Sequence, residues 1–171
     1  METDFRGSFQ IYSEMKPGTV FAFRNKDGAR QLAMKAQYER HGRPASNHII
    51  RFYEAGGAEA ATVCLVRSDD FTRAHTLLAL GGLKIGPIDW LDFVGPIELD
   101  EKLVESGWLG FTEGRALLTF RVDDPSSSIK VGAVDLMNHM MLDNVPLAAW
   151  YKKWRICRPA EPSPEIIFAM E

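Results

Sequence analysis

Short runs in which apolar and polar residues alternate, separated by turn-forming residues, make up most of the chain. Valine, isoleucine, threonine and aromatic residues are concentrated in these runs, which favours β-strands. The strands predicted in this way are 19–24, 47–54, 61–67, 77–85, 108–112, 115–122, 128–136 and 165–170. Antiparallel hairpins are predicted where Gly56-Gly57 and Glu113-Gly114 separate two runs, and Gly81-Gly82 divides the run 77–85 into a further pair.

Two segments fit either a helix or a strand. In 29–40 the apolar residues from Leu32 onward alternate as in a strand, yet nearly every residue of the segment favours helix. Asp27 can cap the start of a helix and Gly42 can end it, so we predict a helix. A hairpin that turns at the sequence N-K-D-G is the alternative. The segment 68–80 is open between helix and strand in the same way.

Two further segments are predicted as helices from their spacing and their ends. Residues 99–107 combine a capping Asp100 with a terminating Gly107. Residues 144–155 place four apolar side chains at the i, i+3, i+4, i+7 spacing of one helical face, with Asn144 as the cap. These four residues are Leu147, Trp150, Tyr151 and Trp154.

Length and composition are those of an ordinary globular protein. The chain has 171 residues, of which 46% are hydrophobic and 25% are charged. We therefore predict a single globular domain over 1–171, with 159–171 as a proline-stiffened tail that ends in a short strand. Strands joined by turns, with few helices between them, predict the α+β class. Its centre would be a curled, mainly antiparallel sheet or a small β-barrel, accompanied by a few short helices.

Charge and cysteine content predict which classes of partner are excluded and which cellular compartment is expected. The net charge of −3 argues against nucleic-acid binding, which usually needs a basic face. No apolar run approaches the ~20 residues that cross a bilayer, so no membrane contact is predicted. The N-terminal sequence M-E-T-D-F-R-G-S lacks the features of a signal peptide. Cys64 and Cys157 are then expected to be free thiols in a reducing compartment, which predicts a cytoplasmic protein.

The stretch D-L-M-N-H-M-M-L-D-N, residues 135–144, is the first candidate for chemistry. His139 and Asp143 are spaced i, i+4 and could form a carboxylate–imidazole pair that acts as a general base. Met140 and Met141 could line an apolar pocket beside them. Packing of the methionines in gaps of the core is the favoured interpretation, and the acid–base site is the alternative. No histidine or cysteine spacing supplies three local ligands, so neither a metal nor a cofactor is predicted.

The sequence D-W-L-D, residues 89–92, brings two carboxylates close together. They could hold a cation. Aspartate at such positions more often accepts hydrogen bonds from backbone N–H groups in caps and turns. We therefore predict a turn here.

A stripe of aromatic and basic residues near the C-terminus is the second candidate site. It consists of Trp150, Tyr151, Trp154 and Arg155. Tryptophan, tyrosine and arginine concentrate binding energy in protein interfaces, whereas packing in the core is the alternative. We expect Trp150 to be a core residue and Trp154 to contribute to binding.

These observations support two functional hypotheses. The first is a non-catalytic binding or assembly domain that acts through protein–protein contacts, with a protein partner or as a homo-oligomer, as a subunit of a larger complex. The alternative is a cofactorless enzyme or small-molecule-binding protein. Its apolar pocket near His139 would take a small apolar ligand.

Overall fold

The structure is a computed structural model that describes residues 7–24, 28, 30–39, 45–53, 62–66, 76–97, 106–122, 131–142 and 147–171. These residues form β-strands joined by turns and loops, with one 3₁₀ turn at Tyr12–Glu14 and no α-helix among them. The strands in chain order are β1 (Gly7–Ile11), β2 (Val20–Arg24), β3 (Arg30–Tyr38), β4 (Ser46–Tyr53), β5 (Thr62–Val66), β6 (Thr76–Leu80), β7 (Lys84–Pro87), β8 (Val94–Ile97), β9 (Leu109–Thr112), β10 (Arg115–Val122), β11 (Val131–Asp135), β12 (Met140–Leu142), β13 (Ala148–Tyr151), β14 (Trp154–Arg158) and β15 (Glu165–Met170).

Most of the strands form one large sheet. Its hydrogen-bonded order is β1-β6-β2-β3-β12-β11-β10-β9-β13-β8. Strands β4 and β5 form a branch, in which β4 pairs with β3 and with β5, and β5 pairs with β10. The pairings of β5 with β10 and of β12 with β3 are parallel, and the other described pairings in this sheet are antiparallel.

The remaining strands form a second, three-stranded sheet. Its order is β15-β14-β7, and both pairings are antiparallel. The architecture is therefore all-β, with two mainly antiparallel sheets. The predicted α+β class is wrong, because the described residues form two sheets in place of a curled sheet or small β-barrel with a few short helices.

The predicted helix at 29–40 is a strand in the structure. Leu32 and Met34 belong to the core between the two sheets, whereas Ala33 belongs to a cluster on the opposite face of the large sheet. Because both faces are covered, consecutive residues are buried, and the alternation of apolar residues was outweighed by helix-forming residues at the positions between them. Strands β2 and β3 pair antiparallel, as the alternative hairpin prediction required.

The predicted helix at 144–155 is also wrong. Its described part forms β13 and β14, which lie in different sheets and are separated by a bend at residues 152–153. Trp150 and Tyr151 are neighbours in sequence and are both buried, in clusters on opposite faces of the large sheet. The helical spacing therefore arose from β13, which is buried on both faces, followed by a bend and the first residue of β14.

Most strand predictions are confirmed. Strands occupy the predicted runs 19–24, 108–112, 115–122 and 165–170 and the described parts of 47–54, 61–67 and 128–136. The run 77–85 does divide at Gly81-Gly82, but β6 and β7 lie in different sheets and do not pair. The predicted helix at 99–107 lies outside the described residues except for its last two, and residues 68–75 lie outside them entirely.

Three buried clusters hold the sheets together. In the largest, Trp154 and Phe168 of the small sheet pack with Phe52 and Leu118 of the large sheet. A second cluster lies where the N-terminal segment covers the large sheet with Tyr12 and Met15, over Phe21, Ala33, Ile49, Leu77 and Ala79. The third contains Trp108, Leu117, Ala148 and Trp150. Together, these three clusters cover both faces of the central strands.

Replacing Trp154 by alanine tests the core between the sheets. The indole is fully buried between Phe52 and Phe168, and its Nε1 donates to the carbonyl oxygen of Gly107 at 2.6 Å. We expect W154A to lower the free energy of unfolding by about 3–5 kcal/mol, because truncation leaves a cavity and an unpaired carbonyl. Urea unfolding measures the change. W90A is the matched control, since Trp90 is 60% exposed; equal losses in the two variants would contradict this packing.

Candidate functional site

The loop between β7 and β8 exposes an unusual number of large apolar side chains. We call residues 88–94, with the sequence I-D-W-L-D-F-V, the aromatic loop. Half of the large hydrophobic side chains that are exposed among the described residues lie in it. Their exposed fractions are 42% for Ile88, 60% for Trp90, 87% for Leu91, 48% for Phe93 and 39% for Val94. Several large exposed apolar side chains on one short loop are typical of a binding surface.

Hydrogen bonds fix the backbone of the aromatic loop. The N–H of Leu91 donates to Oδ1 of Asp89 at 2.8 Å, and the N–H of Asp92 donates to the carbonyl oxygen of Asp89 at 3.3 Å. The predicted turn at 89–92 is therefore confirmed. A third bond runs from the N–H of Ile88 to the carbonyl oxygen of Lys153 at 3.2 Å, which ties the loop to the bend between β13 and β14.

Two aromatic rings of the loop pack against two aromatic rings of the large sheet. Tyr151 is at the centre of these four rings, with ring centroids 5.8 Å from Trp90, 6.0 Å from Phe93 and 5.7 Å from Phe111. Trp90 and Phe111 are also in contact, at 5.2 Å. The hydroxyl of Tyr151 donates to the carbonyl oxygen of Trp90 at 3.1 Å. One buried tyrosine therefore orients both the side chain and the backbone of an exposed tryptophan.

Charged residues of both signs lie in the loop and in the adjoining bend. The loop carries Asp89 and Asp92, and the bend carries Lys152 and Lys153; all four are exposed. The ammonium of Lys152 lies 4.7 Å from the centre of the Trp108 ring, a cation–π contact at the third cluster, on the opposite face from Tyr151. Lys153 is tied to the loop through its carbonyl oxygen.

Arg155 lies close to the same surface. It is directly opposite Gly86 in the pairing of β14 with β7. The indole of Trp90 lies 4.0 Å from the position that a Cβ on Gly86 would take. Directly paired residues in an antiparallel sheet project to the same face, so Arg155 and Trp90 are on one side of the small sheet.

Trp150 and Trp154 are both fully buried. The Nε1 of Trp150 donates to the carbonyl oxygen of Ile97 at 3.1 Å and so anchors β8. Gly110 is directly opposite Trp150, and a Cβ there would overlap the indole ring. Neither indole reaches the surface in this fold. Tyr151 is the member of the predicted aromatic stripe that contacts the exposed loop.

His139 lies in the turn between β11 and β12. Its φ of 59° is in the left-handed region, and its ring packs directly on Gly18, where no Cβ could be accommodated. Its carbonyl oxygen accepts from the N–H of Gln37 at 2.9 Å. The buried carboxylate of Asp135 supports this turn by accepting from the N–H of Met137 at 2.8 Å. These contacts account for His139 as a turn residue.

The other members of that predicted site are only partly described. Met140 and Met141 are half-buried on β12, and Met141 packs against the core between the sheets. Asp143 lies outside the described residues, so its pairing with His139 stays a prediction. Cys157 is a free thiol, and the side chain of Cys64 lies outside the described part.

A buried lysine holds the N-terminal segment on the large sheet. Lys35 is only 3% exposed, and its Nζ donates to the carbonyl oxygens of Tyr12 at 3.1 Å and Met15 at 2.7 Å. The same ammonium lies 4.7 Å from the centre of the Tyr12 ring. Burial lowers the pKa of Lys35 and also that of His48, whose backbone oxygen accepts from the Tyr12 hydroxyl. These contacts hold the segment from Tyr12 to Met15 against the large sheet.

Sequence reasoning passed over the aromatic loop as a site. The sequence D-W-L-D was considered for its carboxylates, whereas the informative feature is the presence of five large apolar residues in a segment bounded by Gly86-Pro87 and Gly95-Pro96. Large apolar residues inside a segment with turn residues at both ends are a signal that could have found it.

Comparison with protein-family models, with curated proteins and with solved structures finds no match for this chain. Within the described ranges, no group of three or more histidine, cysteine, aspartate or glutamate side chains is placed to hold a metal ion. No helix in that part of the chain has the length and apolar character needed to cross a membrane. The function is therefore argued from the surface itself.

The buried phenol of Tyr12 predicts a loss of stability at alkaline pH. Burial raises the pKa of Tyr12 to about 12, from 10.0 in the unfolded chain. The stability contributed by the neutral phenol is fully present below pH 10 and is lost as the pH rises from 10 to about 12. We expect wild-type stability to fall more steeply than that of Y12F over this interval, as measured by urea unfolding. Parallel curves for the two proteins would contradict the assignment.

Proposed function

We propose that this chain is a non-catalytic binding domain that associates with a protein through the aromatic loop. The observation that carries the proposal is the exposure of five large apolar side chains within residues 88–94, on a backbone held by hydrogen bonds. Burying such side chains against a partner contributes roughly 25 cal/mol per Å² of apolar area. Trp90 at the centre of the patch is of the residue type that most often dominates binding energy.

Preorganisation of the loop strengthens this proposal. Ordering a mobile segment costs free energy at the moment of binding. The aromatic loop is already fixed by Tyr151 from below and by Asp89 and the Lys153 carbonyl oxygen along its backbone. A partner would therefore meet Trp90 and Leu91 in their binding positions and lose little affinity to ordering.

The charges on the loop favour a protein over an anionic surface. Asp89 and Asp92 lie between the exposed apolar residues. A phosphate backbone or an anionic lipid surface would be attracted by Lys153 beside the loop but repelled by the two carboxylates among the apolar residues. A protein partner can place basic side chains or backbone N–H groups opposite them.

Photo-crosslinking from the most exposed position tests the proposed function. We expect p-benzoylphenylalanine in place of Leu91 to give discrete protein adducts in cells that express the full chain. The same group in place of Met137, which is 65% exposed on a different turn, is the matched control and should give none of these adducts.

Loss of the apolar surface should abolish the adducts without unfolding the protein. Adding W90A to the chain that carries the photo-reactive group at position 91 should remove the adducts, because the central anchor is gone. Its thermal unfolding should stay cooperative. Equal adducts from positions 91 and 137, or adducts that survive W90A, would contradict the proposed surface.

A further inference from the structure

We infer that the partner bound by the aromatic loop is a second copy of this chain, related to the first by a two-fold axis. This inference rests on the proposed function, and it adds the identity of the partner. In a two-fold interface the same patch is used on both subunits, so the patch must be complementary to itself. The charges around the aromatic loop meet that requirement.

The charged residues at this surface, which we call the charged rim, come from two neighbouring segments. The loop contributes the carboxylates of Asp89 and Asp92. Lys153 of the bend and Arg155, on the same side of the small sheet as Trp90, contribute the positive charges. The hydrogen bond from the N–H of Ile88 to the carbonyl oxygen of Lys153 holds these segments side by side. In a two-fold arrangement, the acids of each copy can face the basic side chains of the other, and this contact then occurs twice.

The size of the patch suits a dimer of ordinary dimensions. The five apolar side chains of the aromatic loop leave roughly 500 Å² exposed, which is in the upper part of the range for the largest patch on a typical monomer. With the charged rim, the surface approaches the ~800 Å² that each partner buries in a standard interface. Packing of the two tryptophans and leucines would form the centre.

The sheet edges beside the aromatic loop favour association through side-chain packing over association through strand pairing. The aromatic loop joins β7 at one edge of the small sheet to β8 at one edge of the large sheet. Pro87 in β7 and Pro96 in β8 lack the N–H group that a paired strand would use. Proline on an edge strand discourages pairing with another chain.

Sedimentation equilibrium on the purified full-length chain tests the inference. We expect a reversible monomer–dimer equilibrium for the wild type. L91D should raise the dissociation constant by about a hundredfold or more, since a charge at the apolar centre is buried without a partner. At concentrations below the wild-type dissociation constant, where both proteins are monomeric, the two thermal midpoints should agree, because Leu91 is 87% exposed in the monomer.

Charge reversal gives a sharper test, because it distinguishes a two-fold interface from general stickiness. D92K makes the rim positive and K153E makes it negative, while Asp89 and Lys152 keep their contacts within the chain. Each variant alone should dimerise about tenfold or more weakly than the wild type, because like charges then face each other. An equimolar mixture of the two should form a heterodimer at wild-type strength or better.

The outcomes separate this inference from the function on which it rests. A strictly monomeric wild type that still gives crosslinked adducts with another protein from position 91 would overturn the second copy and leave the proposed function standing. A monomer that gives no adducts would overturn both. A dimer unaffected by L91D, or a mixture of D92K and K153E no tighter than each alone, would overturn the two-fold interface.

Discussion

Burial of both faces of the central strands is the constraint on which the rest of the structure depends. In β3 and β13 consecutive residues are buried, so neither face of the large sheet can be left to water. The small sheet covers one face, and the N-terminal segment covers part of the other. In the described ranges the chain crosses between the two sheets at residues 81–83, in the aromatic loop and at the bend 152–153.

The same constraint decides how much of the fold the sequence could predict. The hairpin of β9 and β10 was predicted correctly, because turn residues at Glu113-Gly114 separate two β-rich runs and the two strands are consecutive. The helix predicted at 29–40 is wrong, because helix-forming residues and apparent caps outweighed the alternation of apolar residues. The helix predicted at 144–155 is wrong, because its helical spacing combined apolar residues of two strands, one of them buried on both faces. Pairings between distant strands, such as β5 with β10, leave no local signal.

The candidate site shows a similar division. Residue type alone suggested that Trp150, Tyr151 and Trp154 form a binding surface, but type does not reveal depth, and both tryptophans lie in the core. Trp90 is the exposed tryptophan. Its contact with Tyr151 joins residues 61 positions apart, so no local pattern in the sequence indicates it. The turn at Asp89 could be predicted, because aspartate bonds to a backbone N–H two residues further on.

The buried ammonium of Lys35 has a consequence for how the N-terminal segment can be observed. Its nitrogen is held by the carbonyl oxygens of Tyr12 and Met15 and is shielded from solvent. An acylating reagent can therefore reach this amine only when the segment lifts from the sheet. The labelling rate of one lysine, resolved by peptide mapping, thus reports the frequency of that local opening independently of global unfolding.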